Sequence, residues 1–113
     1  MTPLSRATQT AALNDAFRKH PTIGGRVFST VGVASEGPEF VARTLAVVAA
    51  FDSFTPDNDP YGEHDFGSFE LDGKTLFWKI DYYCKGNLAL GSEDPGDPAK
   101  TERVLTIMLA EEY

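Results

Sequence analysis

"FGSFELDGKTLFWKIDYY", residues 66–83, carries two runs of alternating apolar and polar residues on either side of Asp72-Gly73. That dipeptide suits a two-residue type I′ turn, whose central residues both need positive φ. The stretch therefore predicts a β-hairpin with strands over about 65–71 and 75–83. Setting Leu71 opposite Lys74 fixes the register: Phe69 faces Leu76, Gly67 faces Trp78, Asp65 faces Ile80 and His64 faces Asp81. Gly67 then leaves room for the Trp78 ring. Alternation puts Phe69, Leu71, Leu76, Trp78, Ile80 and Tyr82 on a core side, and Phe66, Ser68, Glu70, Phe77, Lys79, Asp81 and Tyr83 on the other.

Working outward toward the N-terminus, Thr2-Pro3 reads as a helix entry. Leu4, Ala7, Ala11, Leu13 and Phe17 recur at three- and four-residue spacings, which predicts a helix to about Lys19, ahead of Pro21. "GGRVFSTVGV", residues 24–33, is a β-branched run after paired glycines and predicts a strand. Val27, Val31 and Val33 would share one of its faces, Phe28 and Thr30 the other. A second helix is expected from Pro38 through Phe51, with Phe40, Val41, Leu45, Val47 and Val48 on its apolar side.

Downstream of the hairpin, "CKGNLALGSEDPGDPAK" is rich in turn residues, and Asn87 to Leu90 could form a short edge strand. Asp97-Pro98 reads as another helix entry, so "AKTERVLTIMLAEEY" is expected to be a closing helix presenting Val104, Leu105, Met108 and Leu109. A strand over 104–109 is the alternative, because short apolar runs are ambiguous by period. The fold class expected is α+β: a small, mainly antiparallel sheet packed through its Trp78 face against two to three helices. With 113 residues and 42% hydrophobic content, the chain is expected to be a single domain, 1–113.

Seventeen acids against ten Lys and Arg give a net charge of −7, which opposes the phosphate neutralisation that dominates nucleic-acid affinity. Direct nucleic-acid binding is not expected; the acidity would suit docking onto a basic groove of a protein partner, and ordinary solubility explains it equally well. Cys84 is the single cysteine, which excludes an internal disulfide and a multi-cysteine zinc site. The N-terminus lacks the basic start and unbroken apolar run of a signal peptide, and no segment approaches the ~20 apolar residues of a membrane span. A cytoplasmic protein without a cofactor is expected.

"DNDPYGEHDFG", residues 57–67, concentrates acids, a histidine, a proline and glycines, and admits three uses. As a calcium loop it offers Asp57, Asp59 and Asp65 as ligands and Gly62 at the sharp turn. Tyr61 and Ser68, however, stand where a side-chain ligand and the bidentate glutamate belong. As a catalytic element it offers His64 paired with Asp81, flanked by Lys79, with Glu63 or Asp59 as further carboxylates. No G-x-S-x-G elbow and no Cys-His pair accompanies them, and a carboxylate beside an imidazole equally well satisfies a structural histidine. As a turn, residues 57–62 form a tight acidic double turn, with residues 63–67 beginning the strand. Such a turn would display Asp57, Asp59, Tyr61, Glu63 and Asp65 to a partner.

"FDSFTPDNDPYGEHDFG", "FWKIDYY" and "GSEDPGDPAKTERVLTIMLAEEY" together resemble a group of short bacterial proteins classed as a domain of unknown function with an NDP signature. The likeness covers about residues 51–113, and more loosely "STVGV". It implies a bacterial source and a place on plasmids, integrated elements or phages beside genes that counter restriction or CRISPR defences. Where that group often has an acid, this chain has Cys84, which weakens any catalytic role for the thiol. The function expected is a small acidic, non-enzymatic protein-interaction factor, with counter-defence against a host nuclease complex as its setting. The alternative is a small hydrolase or metal-dependent enzyme built on His64 and Asp81.

Overall fold

The computed structural model describes residues 5–113, so the helix entry expected at Thr2-Pro3 lies outside the described residues. Helix α1, Arg6–Lys19, begins where the Ser5 side chain accepts the Thr8 N–H, and it ends at His20, whose N–H bonds back to the Ala16 and Phe17 carbonyls. Strand β1, Gly25–Ser29, follows. A four-residue helix α2, Val31–Ala34, and then α3, Pro38–Ala50, lead to an irregular segment and the hairpin of β2, Phe66–Leu71, and β3, Lys74–Cys84. Strand β4, Asn87–Gly91, and β5, Thr101–Leu109, complete the sheet, and Ala110–Glu112 closes the chain as a 3-10 turn.

The hairpin has the register its turn dictates, from Leu71 opposite Lys74 to Phe66 opposite Lys79, with Gly67 opposite Trp78. Asp72 and Gly73 adopt φ of 52° and 76°, the left-handed pair a type I′ turn requires. Strand order is β1-β5-β3-β2, with β4 also pairing β3. Among the described residues only β1 and β5 run parallel; the other pairings are antiparallel. The expected edge strand is present, and a bulge between its two pairings with Tyr83 and Cys84 interrupts the exposed ladder.

Phe17 of α1, Val33 of α2 and Phe40 and Val48 of α3 meet Leu76, Trp78, Ile80, Leu105 and Ile107 in one buried cluster. Phe69, Leu71 and Tyr82 pack against it, so the helices cover the hairpin face that alternation assigned to the core. On the opposite face Phe66, Phe77 and Tyr113 form a trio of tilted and edge-on rings, and Lys79 pairs with Asp81 at 3.0 Å. Among the described residues no helix is long and apolar enough to cross a membrane.

Two elements differ from expectation. The closing helix is instead β5, because Thr101–Leu109 is hydrogen-bonded on both sides, parallel to β1 and antiparallel to β3. Leu105 and Ile107 face the helices while Val104 and Met108 are buried on the other face, which produces an apolar run without alternation. Asp97 caps only a local turn, accepting the Ala99 N–H at 2.9 Å. The strand expected over 24–33 stops at Ser29, since Val31 to Ala34 turn helical. The Glu112 carboxylate holds that turn by accepting from Thr30 Oγ1, the Gly32 N–H and the Leu109 N–H, at 2.6, 3.0 and 2.9 Å. Val31 thereby ends 84% exposed while Val33 is fully buried.

Candidate functional site

The segment from Thr55 to Asp65 is built by its own polar side chains. Asn58 Oδ1 accepts the Thr55 N–H and its amide donates to the Ser53 carbonyl, both at 2.9 Å. The Asp59 N–H returns to Thr55 O at 2.8 Å, and the Gly62 N–H to Asp59 O at 3.1 Å, giving the double turn expected of residues 57–62. The Asp59 carboxylate turns inward, where it is 8% exposed and accepts the N–H groups of Glu63 and His64 at 3.1 and 3.2 Å. Asp59 is therefore a brace for the turn, and the display role expected of it does not hold. Asp57 and Tyr61 remain exposed, Tyr61 at 81%, while Glu63 and Asp65 are half-buried.

The pairing of His64 with Asp81 is not formed. The Ile80 N–H still bonds the Asp65 carbonyl at 2.9 Å, but His64 sits at φ 57° and swings the chain off the ladder, so the strand begins at Phe66 and not at residue 63. Asp81 lies opposite Val104 and takes Lys79 as its ion pair. His64 instead stacks flat on Phe54, with centroids 3.9 Å apart, and its Nδ1 lies 2.9 Å from Asp15 Oδ1 on α1. The other ring nitrogen, Nε2, lies 3.8 Å from Asp59 Oδ2 at the edge of an open hollow. Thr55, Asp59, Tyr61 and His64 line that hollow with Phe54, Pro56, Pro60 and Gly62; among the described residues no Ser, Cys or Lys lines it.

Asp15 also pairs with Arg18, which is buried against the rings of Trp78 and Phe54 and donates to the Val48 and Phe51 carbonyls. Next to Asp15, the fully buried Asn14 donates to the Glu63 carbonyl and the Tyr82 hydroxyl at 2.9 and 2.8 Å and accepts from Arg103 Nε at 2.7 Å. One turn of α1 thus holds Phe51 and Phe54 ahead of the segment and Glu63 and His64 near its end. These partners escaped sequence reasoning. The signal for them was "ND" at 14–15 in mid-helix, two residue types that favour caps and turns unless their side chains are engaged.

Among the described residues no group of three or more His, Cys, Asp or Glu is arranged to hold a metal ion. Burial raises the Asp65 carboxyl above the usual range, and Asp59 and Asp81 add to the shift. Glu63 shifts the same way, again through burial first. A carboxyl that holds its proton more tightly when folded disfavours folding once ionised. Its penalty is present at neutral pH and disappears as pH falls through the carboxylate range. Asp65→Asn is accordingly expected to raise the melting temperature at pH 7, with the advantage vanishing near about pH 3, in paired thermal melts.

The fold and site define a small α+β protein whose acidic turn is braced from beneath by an Asp-His pair and a buried asparagine. Residues 29–112 match the family described as "Protein of unknown function (DUF3768)", and the chain belongs to it. The match contains the turn, the hairpin and β5, while Asn14, Asp15 and Arg18 precede it. No curated protein and no solved structure matches the chain.

Proposed function

We propose that the protein is a non-enzymatic interaction factor that docks the turn at 55–65 onto a basic surface of a protein partner. Tyr61 carries the proposal: it stands 81% exposed on a loop whose backbone is tied down on either side by Asn58, Asp59 and His64. A rigid aromatic tip loses little entropy on binding, and tyrosine is enriched among the residues that dominate interface energies. Asp57, Glu63 and Asp65 surround it and supply charge complementary to a basic patch, in keeping with the net charge of −7. The partner class we put forward is a nucleic-acid-handling complex of a bacterial cytoplasm. A counter-defence role on a mobile element is the setting suggested by the NDP-signature resemblance.

Two features favour docking over catalysis at His64. Its oriented ring faces a hollow without a nucleophilic Ser, Cys or Lys, and both Asp15 and Asp59 are already engaged with the fold. The test is quantitative capture from bacterial lysate with wild type, Tyr61→Ala and Asp57→Lys/Glu63→Lys. A partner retained by wild type should fall at least about tenfold with Tyr61→Ala, and its capture by wild type should weaken as salt rises. Equal retention by all three proteins would remove the turn as the docking site.

A further inference from the structure

Away from the turn, a cleft of about 320 Å³ opens between the C-terminal half of α1 and the loops that precede β1 and β5. Leu13, Phe17, Ile23 and Pro98 give it an apolar wall, while His20, Lys85 and Arg103 are its ionisable lining residues. Among the described residues no Asp or Glu lines it, although the chain has 17 acids and ten Lys and Arg. Ile23 is 72% exposed beside this cleft, a large apolar side chain that an occupant would cover.

Two cations that lack an ion pair meet at the cleft. Arg6, Arg18, Arg26, Arg43, Lys74 and Lys79 each pair with a carboxylate. Among the described residues Lys19, Lys85, Lys100 and Arg103 have no such ion pair, and two of these four line the cleft: Lys85, whose Nζ reaches the Pro98 carbonyl at 3.5 Å, and Arg103, which donates to oxygens of Asn14 and Pro95. The C-terminus of α1, where carbonyl dipoles converge, accounts for a basic residue type at position 20. It does not account for Lys85, which approaches from the turn between β3 and β4.

We propose that this cleft binds a small carboxylic acid, its apolar body lying against Leu13, Phe17 and Ile23 and its carboxylate meeting Lys85 and His20. At about 30 Å³ per water-sized group, the volume holds on the order of ten non-hydrogen atoms, the size of a medium-chain or aryl-alkyl acid. The site shares no lining residue with the hollow beside His64, so it stands or falls independently of the docking turn.

Octanoate is the probe and octan-1-ol its uncharged counterpart, titrated into the ¹⁵N-labelled full chain and followed by amide shifts. Octanoate should produce saturable shifts at Leu13, Phe17, Ile23 and Thr101 with a Kd below about 1 mM, and octanol should bind at least about fivefold more weakly. Lys85→Glu should weaken octanoate about tenfold and leave octanol unchanged. Ala16→Trp, at an exposed helix position lining the cleft, should abolish both. Absence of saturable shifts, equal affinity for acid and alcohol, or indifference to Lys85→Glu would each overturn the proposal. So would shifts at the same amides on raising protein concentration alone, which would make a second copy of the chain the occupant.

Discussion

Gly67→Ala is expected to destabilise the protein by about 2–3 kcal/mol, although alanine is ordinarily the better residue in a strand by about 0.5–1 kcal/mol. The reversal comes from the indole across the hairpin. A Cβ at position 67 would lie 2.3 Å from Trp78 Nε1 and 2.7 Å from Phe51 Cζ. The ring cannot swing aside, because Trp78 is fully buried, with Phe51 edge-on at 5.4 Å and the Arg18 guanidinium 4.9 Å over its face. Urea unfolding of Gly67→Ala in the wild-type and Trp78→Leu backgrounds measures the effect. With the smaller side chain at 78 the alanine should cost less than about 1 kcal/mol, giving a coupling of about 2 kcal/mol. The same loss in both backgrounds would mean that the contact with Trp78 is not the cause.

That contact was legible in the sequence because every step to it is local. Asp72-Gly73 sets the turn, the turn sets the register, and the register puts a glycine opposite the largest side chain. The same reasoning failed at β5 because Val104, Leu105, Ile107 and Met108 are buried on two faces at once. A strand in the middle of a sheet loses the alternation that would distinguish it from a helix. It failed at β1 for a different reason: the acceptor that lets the chain turn helical after Thr30 is the carboxylate of Glu112, 80 residues beyond Gly32.

At the candidate site the sequence located the double turn correctly, since Asn58, Asp59 and Gly62 act on neighbouring backbone. The partner of His64 was out of reach. Extending the ladder one residue past Asp65 assumed extended backbone, whereas His64 takes a left-handed conformation that frees it to meet Asp15. A non-glycine residue at positive φ costs free energy and persists only where other contacts determine it. Here those contacts are the Asp59 carboxylate on the His64 N–H, the stacked Phe54 ring and Asp15 on Nδ1.

Asn14→Leu, close in size to the native side chain, is expected to cost about 3–4 kcal/mol, more than any single loss at the turn itself. It removes three hydrogen bonds at a fully buried position and strands their partners: the Glu63 carbonyl, the Tyr82 hydroxyl and Arg103 Nε. Buried groups left without a partner cost about 1–3 kcal/mol each, and more when charged. Arg103 is the costly one, since it is 3% exposed, has no carboxylate in contact among the described residues and would keep the Pro95 carbonyl and the face of Tyr82. Tyr82→Phe should cost about 1 kcal/mol, and the double variant should fall short of the sum by a similar amount, because the Asn14–Tyr82 bond is lost only once. The variant also separates stability from docking. Freeing the Glu63 carbonyl unties the turn from α1, so hydrogen exchange should quicken at residues 55–64 before it quickens in β3 and β5. Under conditions where Asn14→Leu remains folded, partner capture should weaken with Tyr61 untouched, as expected if a rigid turn is what the partner recognises. Undiminished capture alongside a loosened turn would instead assign recognition to side-chain chemistry alone.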